Sequence, residues 1–343
     1  MAIHPLQTWR VLRPYLRANP KFDAIFVPTA GLYHILAWVW LIKRTLRNRP
    51  TRVLFFFIHL PVGWDSQSGK PVQDGSPTSW LLFRLLKRLE PEIKSGKVVL
   101  GAETESTRAA VESFSGVPVT LFPQIVIPLQ NSESDLSPSM DEIVMACYGP
   151  PRAEKGSDVL QQAITTYRRR FPESRVRFVI HWPEDFTTAD GRVVVKSPDL
   201  LRDPQVEYLT EYIDPHEYER RIKQTQVMLL PYRLNPYGLR GSRVALEAVV
   251  NSIPVIATRG TALASQVEAR GAGLYCEDGN CESLALAIRK MEERYEEFNR
   301  MATTRAAAAA KEFSVPSFRR AFLESDPAGR GSANSPARNS SQT

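Results

Sequence analysis

The feature that most constrains this chain is a regular exchange of short apolar runs with helix-length segments, which happens twice. From Phe22 it reads as strand "DAIFVP", an apolar helix near Leu32 to Leu46, strand "RVLFFFIHLP", and a basic amphipathic helix "SWLLFRLLKRL". Strand "KVVLGA", helix "TRAAVESF" and strand "PVTLFP" follow. Alternation at this spacing belongs to a parallel sheet with helices on its faces. The run "VLFFFI" has no polar face and belongs inside such a sheet, covered on both sides.

Between Pro128 and Met140 the chain turns to "PLQNSESDLSPSM", polar and proline-bearing, as interdomain linkers are. The alternation then restarts with strand "EIVMACYG", helix "SDVLQQAITTYRRR", strand "RVRFVIHW", strand "VEYLTEYI", helix "DPHEYERRIKQT" and strand "VMLLPY". An apolar helix around Glu247, strand "IPVIAT" and a helix from Glu282 to about Ala310 complete it. The expected organisation is α/β with two Rossmann-like doubly wound domains, residues 1–135 and 140–324. The tail 326–343 is too poor in apolar residues to pack and is expected to be disordered.

Composition excludes several classes. Cys147, Cys276 and Cys281 have no metal-ligand spacing and cannot all pair, which points to reduced thiols and a cytoplasmic setting. The run Ile35 to Ile42 is too short to span a bilayer, and the N-terminus lacks the apolar core of a signal peptide. A net charge of +7 suits an anionic partner. Nucleic acid fits poorly, because the arginines are scattered over helices without aromatic-interleaved strands.

In an open parallel sheet, ligands bind beyond the carboxyl ends of strands. Two such loops in the second half carry unusual chemistry. In "YGPPRAEKGSDVL" a strand ends at Gly149, and the loop presents Arg152 and Lys155 before a helix that Ser157 or Asp158 caps. Two cations beside a helix N-terminus make a site for a diphosphate; taken alone they also fit solvated loop charges. In "RLNPYGLRGS", Gly238 and Gly241 let backbone approach a ligand, and Ser242 caps the next helix. The N–H groups of Gly241, Ser242 and Arg243 are expected to face the same cleft. Glu247, one turn further on, can accept hydroxyl hydrogen bonds or pair with Arg243 four residues earlier.

Taken in order, "G…R…KG.D.L", a strand ending Leu-Leu-Pro, a Gly-containing loop, "EA" and "PVIAT" resemble the donor domain of family 4 (group 1) glycosyltransferases. These have the two-domain GT-B fold. The likeness is dense over Ile143 to Leu286 and looser over Phe22 to Pro128. It implies transfer of a sugar from a nucleotide-diphosphate sugar to a glycan, lipid-linked or small-molecule acceptor, with retention. It also implies that Arg152 and Lys155 stabilise the departing diphosphate with neither metal nor further cofactor. Glu247 matches the second glutamate of the family's Glu-x7-Glu motif, which contacts the ribose, whereas Leu239 stands where the first belongs. Tyr237, Gly238, Arg240 and Ser242 fill that loop instead. His59, ending "FFFIHLP", corresponds to a histidine that some members place near the transferred sugar; a plain strand-end histidine is the alternative. His181 stands where the family often has glycine.

The resemblance also implies a missing first βα unit, because the chain opens with a helix that leads to an apparent interior strand. With Leu239, this motivates a second hypothesis, a degenerate GT-B protein that binds or scaffolds an active transferase. Epimerisation of a nucleotide sugar would need further cleft acids that the sequence does not offer. The helix "SWLLFRLLKRLEPEIK" carries Leu81, Leu82, Leu85, Leu86 and Leu89 on one face, flanked by Arg84, Lys87 and Arg88. Packing on the sheet explains the stripe; weak peripheral contact with an anionic inner-membrane surface would also use the cations.

Overall fold

The computed structural model describes residues 5–19, 22–65, 68–129 and 142–325. The expected linker, residues 130–140, and the expected disordered tail lie outside the described residues. The first part runs α1 (Pro5–Ala18), β1 (Ala24–Val27) and α2 (Leu32–Trp40), which one π-type turn over Leu41–Thr45 extends. β2 (Arg52–Phe57) and an antiparallel hairpin of β3 (Gly63–Asp65) and β4 (Lys70–Val72) follow. Then come α3 (Pro77–Arg88), α4 (Glu90–Lys94), β5 (Val98–Ala102), α5 (Glu105–Ser115) and β6 (Thr120–Leu121).

β1, β2, β5 and β6 stand side by side in that order, all parallel. Every crossover steps the same way, so right-handed connections deliver their helices to one face. There Val53, Phe55, Phe57, Val98 and Leu100 pack with Ile35, Trp38, Leu82 and Leu86. The alternate residues Leu54, Phe56 and Val99 face the other way and meet Phe318 and Phe322 of the last helix among the described residues. That helix thereby gives the first sheet its second covered face, although it follows the second domain in sequence.

The second part holds β7 (Ile143–Cys147), a short 3-10 turn at Ala153–Lys155, α6 (Ser157–Arg170), β8 (Val176–His181), β9 (Phe186–Thr187), β10 (Val193–Val194) and α7 (Pro198–Leu201). It continues with β11 (Val206–Leu209), α8 (Pro215–Lys223), β12 (Val227–Leu230), α9 (Leu234–Tyr237), α10 (Arg243–Val250), β13 (Val255–Thr258) and α11 (Ala262–Arg270). β14 (Gly273–Cys276), α12 (Cys281–Glu293), α13 (Tyr295–Glu312) and α14 (Val315–Glu324) end the described chain. The parallel sheet has the order β11-β8-β7-β12-β13-β14, the doubly wound arrangement expected from the strand pattern. Its winding reverses between β7 and β12, which opens a crevice at their carboxyl ends.

Four local expectations change. The single helix from Glu282 to Ala310 is two, α12 and α13, because Arg294 leaves helical geometry at φ −118°, ψ 23°. "VEYLTEYI" is extended only over Val206–Leu209, and "PVTLFP" pairs only through Thr120 and Leu121. Neither Ser157 nor Asp158 caps α6: Gly156, at φ +64°, precedes the helix, and the Ser157 hydroxyl accepts from the Arg152 N–H at 3.0 Å. The leucine stripe of α3 faces inward, with Leu82, Leu86 and Leu89 fully buried. Among the described residues no helix is long and apolar enough to cross a membrane.

Candidate functional site

The crevice between β7 and β12 is walled by the two loops that the sequence singles out, and close backbone packing joins them. Gly149 (φ +92°) and Gly156 (φ +64°) both need left-handed backbone. A Cβ at Gly156 would collide with the Pro231 carbonyl oxygen, and one at Gly149 would stand 2.5 Å from Lys155 Nζ. The Arg233 N–H donates to the Glu154 carbonyl at 2.9 Å, and the Arg233 guanidinium meets Asp158 at 3.3 Å. Without glycine at 156 the two loops could not approach this closely.

Lys155 is half-buried here, with its ammonium 6.0 Å from the Tyr232 ring centre. Burial lowers its pKa and Arg152 adds to the shift, while Cys147 and Glu154 oppose it. No carboxylate among the described residues lies within ion-pairing distance of it. An ammonium that is partly desolvated and unneutralised favours an incoming anion. Arg152 is exposed and only loosely engaged by Glu154, at 3.7 Å. His181 lies behind the loop, buried, accepting from the Gly149 N–H at Nδ1 (3.2 Å) and facing the Glu211 carbonyl with Nε2 (3.0 Å). Those partners require the proton on Nε2, and burial keeps the ring neutral by lowering its pKa. His181 therefore braces the loop that starts at Gly149, with both ring nitrogens engaged by backbone.

On the opposite wall Ser242 caps α10, its hydroxyl accepting from the Ala245 N–H at 3.3 Å. The N–H groups of Gly241, Ser242 and Arg243 have no acceptor among the described residues. Tyr237 is buried against Tyr232, ring centres 4.5 Å apart. Burial pushes its phenol up to about 12, and Glu154, Arg240, Arg152 and Glu103 all act on it. His59 comes from the first domain. It is exposed, and partial desolvation together with Arg240 lowers its pKa against the pull of Glu154. His59, Tyr237, Arg240, Arg152 and Lys155 thus share one electrostatic neighbourhood across the domain seam.

Glu247 and Arg243 form a second cluster. Arg243 Nε donates to Glu247 Oε1 at 2.8 Å and the Tyr218 hydroxyl to Oε2 at 2.6 Å. The helix-face pair that the spacing allows is therefore present, and a ligand hydroxyl would have to share or displace these donors.

The first domain contributes groups that the sequence did not reveal. The β3–β4 hairpin sets Trp64 against Gly238, where a Cβ would run into the indole. The hydroxyls of Thr104 and Thr107 donate to the Leu239 carbonyl at 2.5 and 3.0 Å, so Leu239 anchors the loop through its backbone while its side chain is buried. Beside them Glu103 is only 5% exposed, and neither carboxyl oxygen has a hydrogen-bond partner.

Residues 200–308 match the family model described as glycosyl transferases group 1. Among solved structures, the chain is similar to sucrose-phosphate synthase from Thermosynechococcus elongatus, at 14% identity and TM-score 0.60, over 93% of this chain and 75% of that one. It is likewise similar to a UDP-forming α,α-trehalose-phosphate synthase from Burkholderia xenovorans, at 15% identity and TM-score 0.64, over 93% and 77%. HepE of Anabaena, solved with UDP and glucose, matches at 13% identity and TM-score 0.60, over 92% and 80%. No curated protein sequence matches the chain. At these identities the likeness is one of fold: the chain has the two-domain GT-B architecture, and its second domain carries the group 1 glycosyltransferase pattern.

Proposed function

We propose that this chain transfers a glycosyl group from a nucleotide-diphosphate sugar to a hydroxyl of a glycan, lipid-linked or small-molecule acceptor, with retention of anomeric configuration. What supports this reading is that the two loops flanking the reversal point of the second sheet carry a partly desolvated ammonium, Lys155, and the acceptor-free N–H groups of Gly241, Ser242 and Arg243. The bond that breaks joins the anomeric carbon to the diphosphate, and negative charge grows on the phosphate oxygens as it lengthens. Lys155, Arg152 and the N–H groups stabilise that charge, and the backbone N–H groups, set by the loop, need little reorganisation. They take the part that a metal plays elsewhere, so turnover is expected to survive a chelator. His59, neutral because its pKa is lowered, can hydrogen-bond the sugar from the opposite domain. Tyr237 and the Gly238–Ser242 backbone line the donor, and Glu247 takes the ribose hydroxyls.

Relatives solved with UDP make UDP the first probe. Calorimetric titration should show binding that Lys155→Met weakens. A screen of UDP- and other nucleotide-sugars should then show diphosphate release with an acceptor, and product NMR should report the anomeric configuration. Leu239 motivates the second reading, a scaffold with the same fold; a chain that binds neither diphosphate nor nucleotide sugar would remove the transferase reading.

We also propose a weak anionic membrane surface as a partner, through a different face from α3. Residues 5–52 hold nine Lys or Arg and one acid, Asp23, a net of +8 against +7 for the whole chain. α1 and α2 expose Leu6, Val11, Tyr15, Tyr33 and Trp40 among these cations, with Trp9 and Trp40 in edge contact at 5.0 Å. Apolar and aromatic groups rimmed by arginine suit a bilayer interface better than a nucleic acid.

A further inference from the structure

Glu103 follows β5 directly, at the carboxyl end of a parallel strand and on the seam between the domains. Its N–H donates to the Phe57 carbonyl of the sheet at 3.4 Å. The loop after β12 closes over its carboxyl group: a Cβ at Gly241 would collide with Oε1. One residue on, Thr104 grips the same loop through Leu239. The contact cannot form without desolvating Glu103, and it supplies no donor in return. A charged carboxylate left this way is costly, whereas a carboxylic acid is tolerated.

We propose that Glu103 couples closure of the first domain onto the loop 237–242 to uptake of one proton from solvent, so that ionisation of Glu103 opens the seam. It is a positioning residue, acting on the substrate loop through Gly241. The surrounding groups leave it alone in this role. From the loop come the Tyr237 phenol, pushed to about 12 and hence neutral, and the Arg240 guanidinium, which acts on Tyr237 and His59. From the segment after β6 comes the Gln124 carboxamide, whose hydrogen-bonding pull on the carboxylate opposes the shift and is outweighed by burial. From its own corner come Thr104 and Thr107, committed to Leu239, and Glu105, committed to Arg108.

Burial raises Glu103 from 4.5 to about 7 in the closed form, and an open, solvated Glu103 returns toward 4.5. The sign follows from linkage: the closed form holds the proton more tightly, so closure is strongest below the open-form value and is lost as pH rises through the closed-form value. With those two values the closed-to-open ratio falls about tenfold between pH 6 and pH 8. The inference uses the reading above only in naming 237–242 as the substrate loop.

Hydrogen–deuterium exchange on the full chain without ligand tests it, because exchange reports even rare opening. After correction for the intrinsic pH dependence of exchange, protection of a peptide covering residues 236–245 should fall about tenfold from pH 6 to 8. Glu103→Gln and Glu103→Met, of similar length and unable to titrate, should remove that fall, and Glu103→Asp should keep it. Two non-titrating variants guard against one that packs badly. A flat wild-type profile, or the same fall in the Gln and Met variants, overturns the proposal. A parallel UDP titration separates the two readings: absent binding with a Glu103-dependent exchange step removes the donor assignment and leaves the proton coupling standing.

Discussion

Replacing Lys155 by methionine separates the work of its charge from that of its stem. Methionine preserves the apolar contact beside Gly149 and Tyr232 and deletes the ammonium that the loop desolvates. In comparable sites, removing one fixed stabiliser of developing negative charge costs about 2.7–4 kcal/mol, or roughly 100- to 1,000-fold in turnover. Lys155 belongs in that range because it is half-buried and has no carboxylate in ion-pairing range. Arg152, exposed and loosely held by Glu154, belongs below it. Stability should move the other way. Burial lowers the Lys155 pKa, so the folded state disfavours its charged form at neutral pH, and that penalty fades as pH rises toward the unfolded value of 10.5. The methionine variant should melt at or above the parent temperature at pH 7, and lose the parent's gain in stability toward pH 10. Diphosphate release under saturating donor, with chemical denaturation at pH 7 and 10, measures both. Turnover at the parental rate, or a loss of turnover matched by loss of folding, would refute the reasoning.

Gly156→Ala forces a side chain into left-handed backbone, at about 1–2 kcal/mol, and drives its Cβ into the Pro231 carbonyl. Denaturant titration should show at least that loss, with UDP affinity falling because the loops part; full stability would mean that they do not meet as described. Glu247→Gln keeps the Tyr218 contact and deletes an ion pair with an exposed arginine, worth under about 0.5 kcal/mol, so melting should barely move. UDP affinity that stays unchanged in this variant would confine Glu247 to the helix-face pair. Co-sedimentation with phosphatidylserine vesicles at low salt should fall when Arg10, Arg17 and Arg44 become glutamine, and should be indifferent to Arg84, Lys87 and Arg88 together; the opposite ranking would return the contact to α3.

Much of the second domain was legible because its chemistry lies where strand pattern and loop composition coincide. β7 and β12 are unbroken apolar runs, the glycines that follow mark tight loops, and Ser242 ahead of an apolar helix is a cap that any reader of sequence would place. The first domain was less legible. The β3–β4 strands are three residues each, too short to show alternation, and the break between α12 and α13 falls in "EERYEE", where no Pro or Gly announces it. The α3 leucine stripe read more readily as sheet packing, and the leucines do turn inward, where each adds buried apolar area; the cations Arg84, Lys87 and Arg88 on its flank stay exposed.

Glu103 shows why part of the site was hidden. "GAETESTRAAV" reads as a strand end followed by an ordinary helix start, with Thr104 as the cap and acids in the first turn, where they are favoured. Nothing within ten residues makes Glu103 different from Glu105. What separates them is the loop at 239–241, more than 130 positions away, which covers one and leaves the other to Arg108. The same contact accounts for the residue that looked anomalous. Leu239 delivers its carbonyl to Thr104 and Thr107 and so turns its side chain into the buried seam, two positions from the glycine that closes on Glu103. A glutamate at 239, the residue the family pattern has there, would bring a second carboxylate into a pocket that already holds an unpartnered one, and two such groups cannot both stay ionised out of water. An apolar residue at 239 therefore fits a seam that already buries the acid at 103.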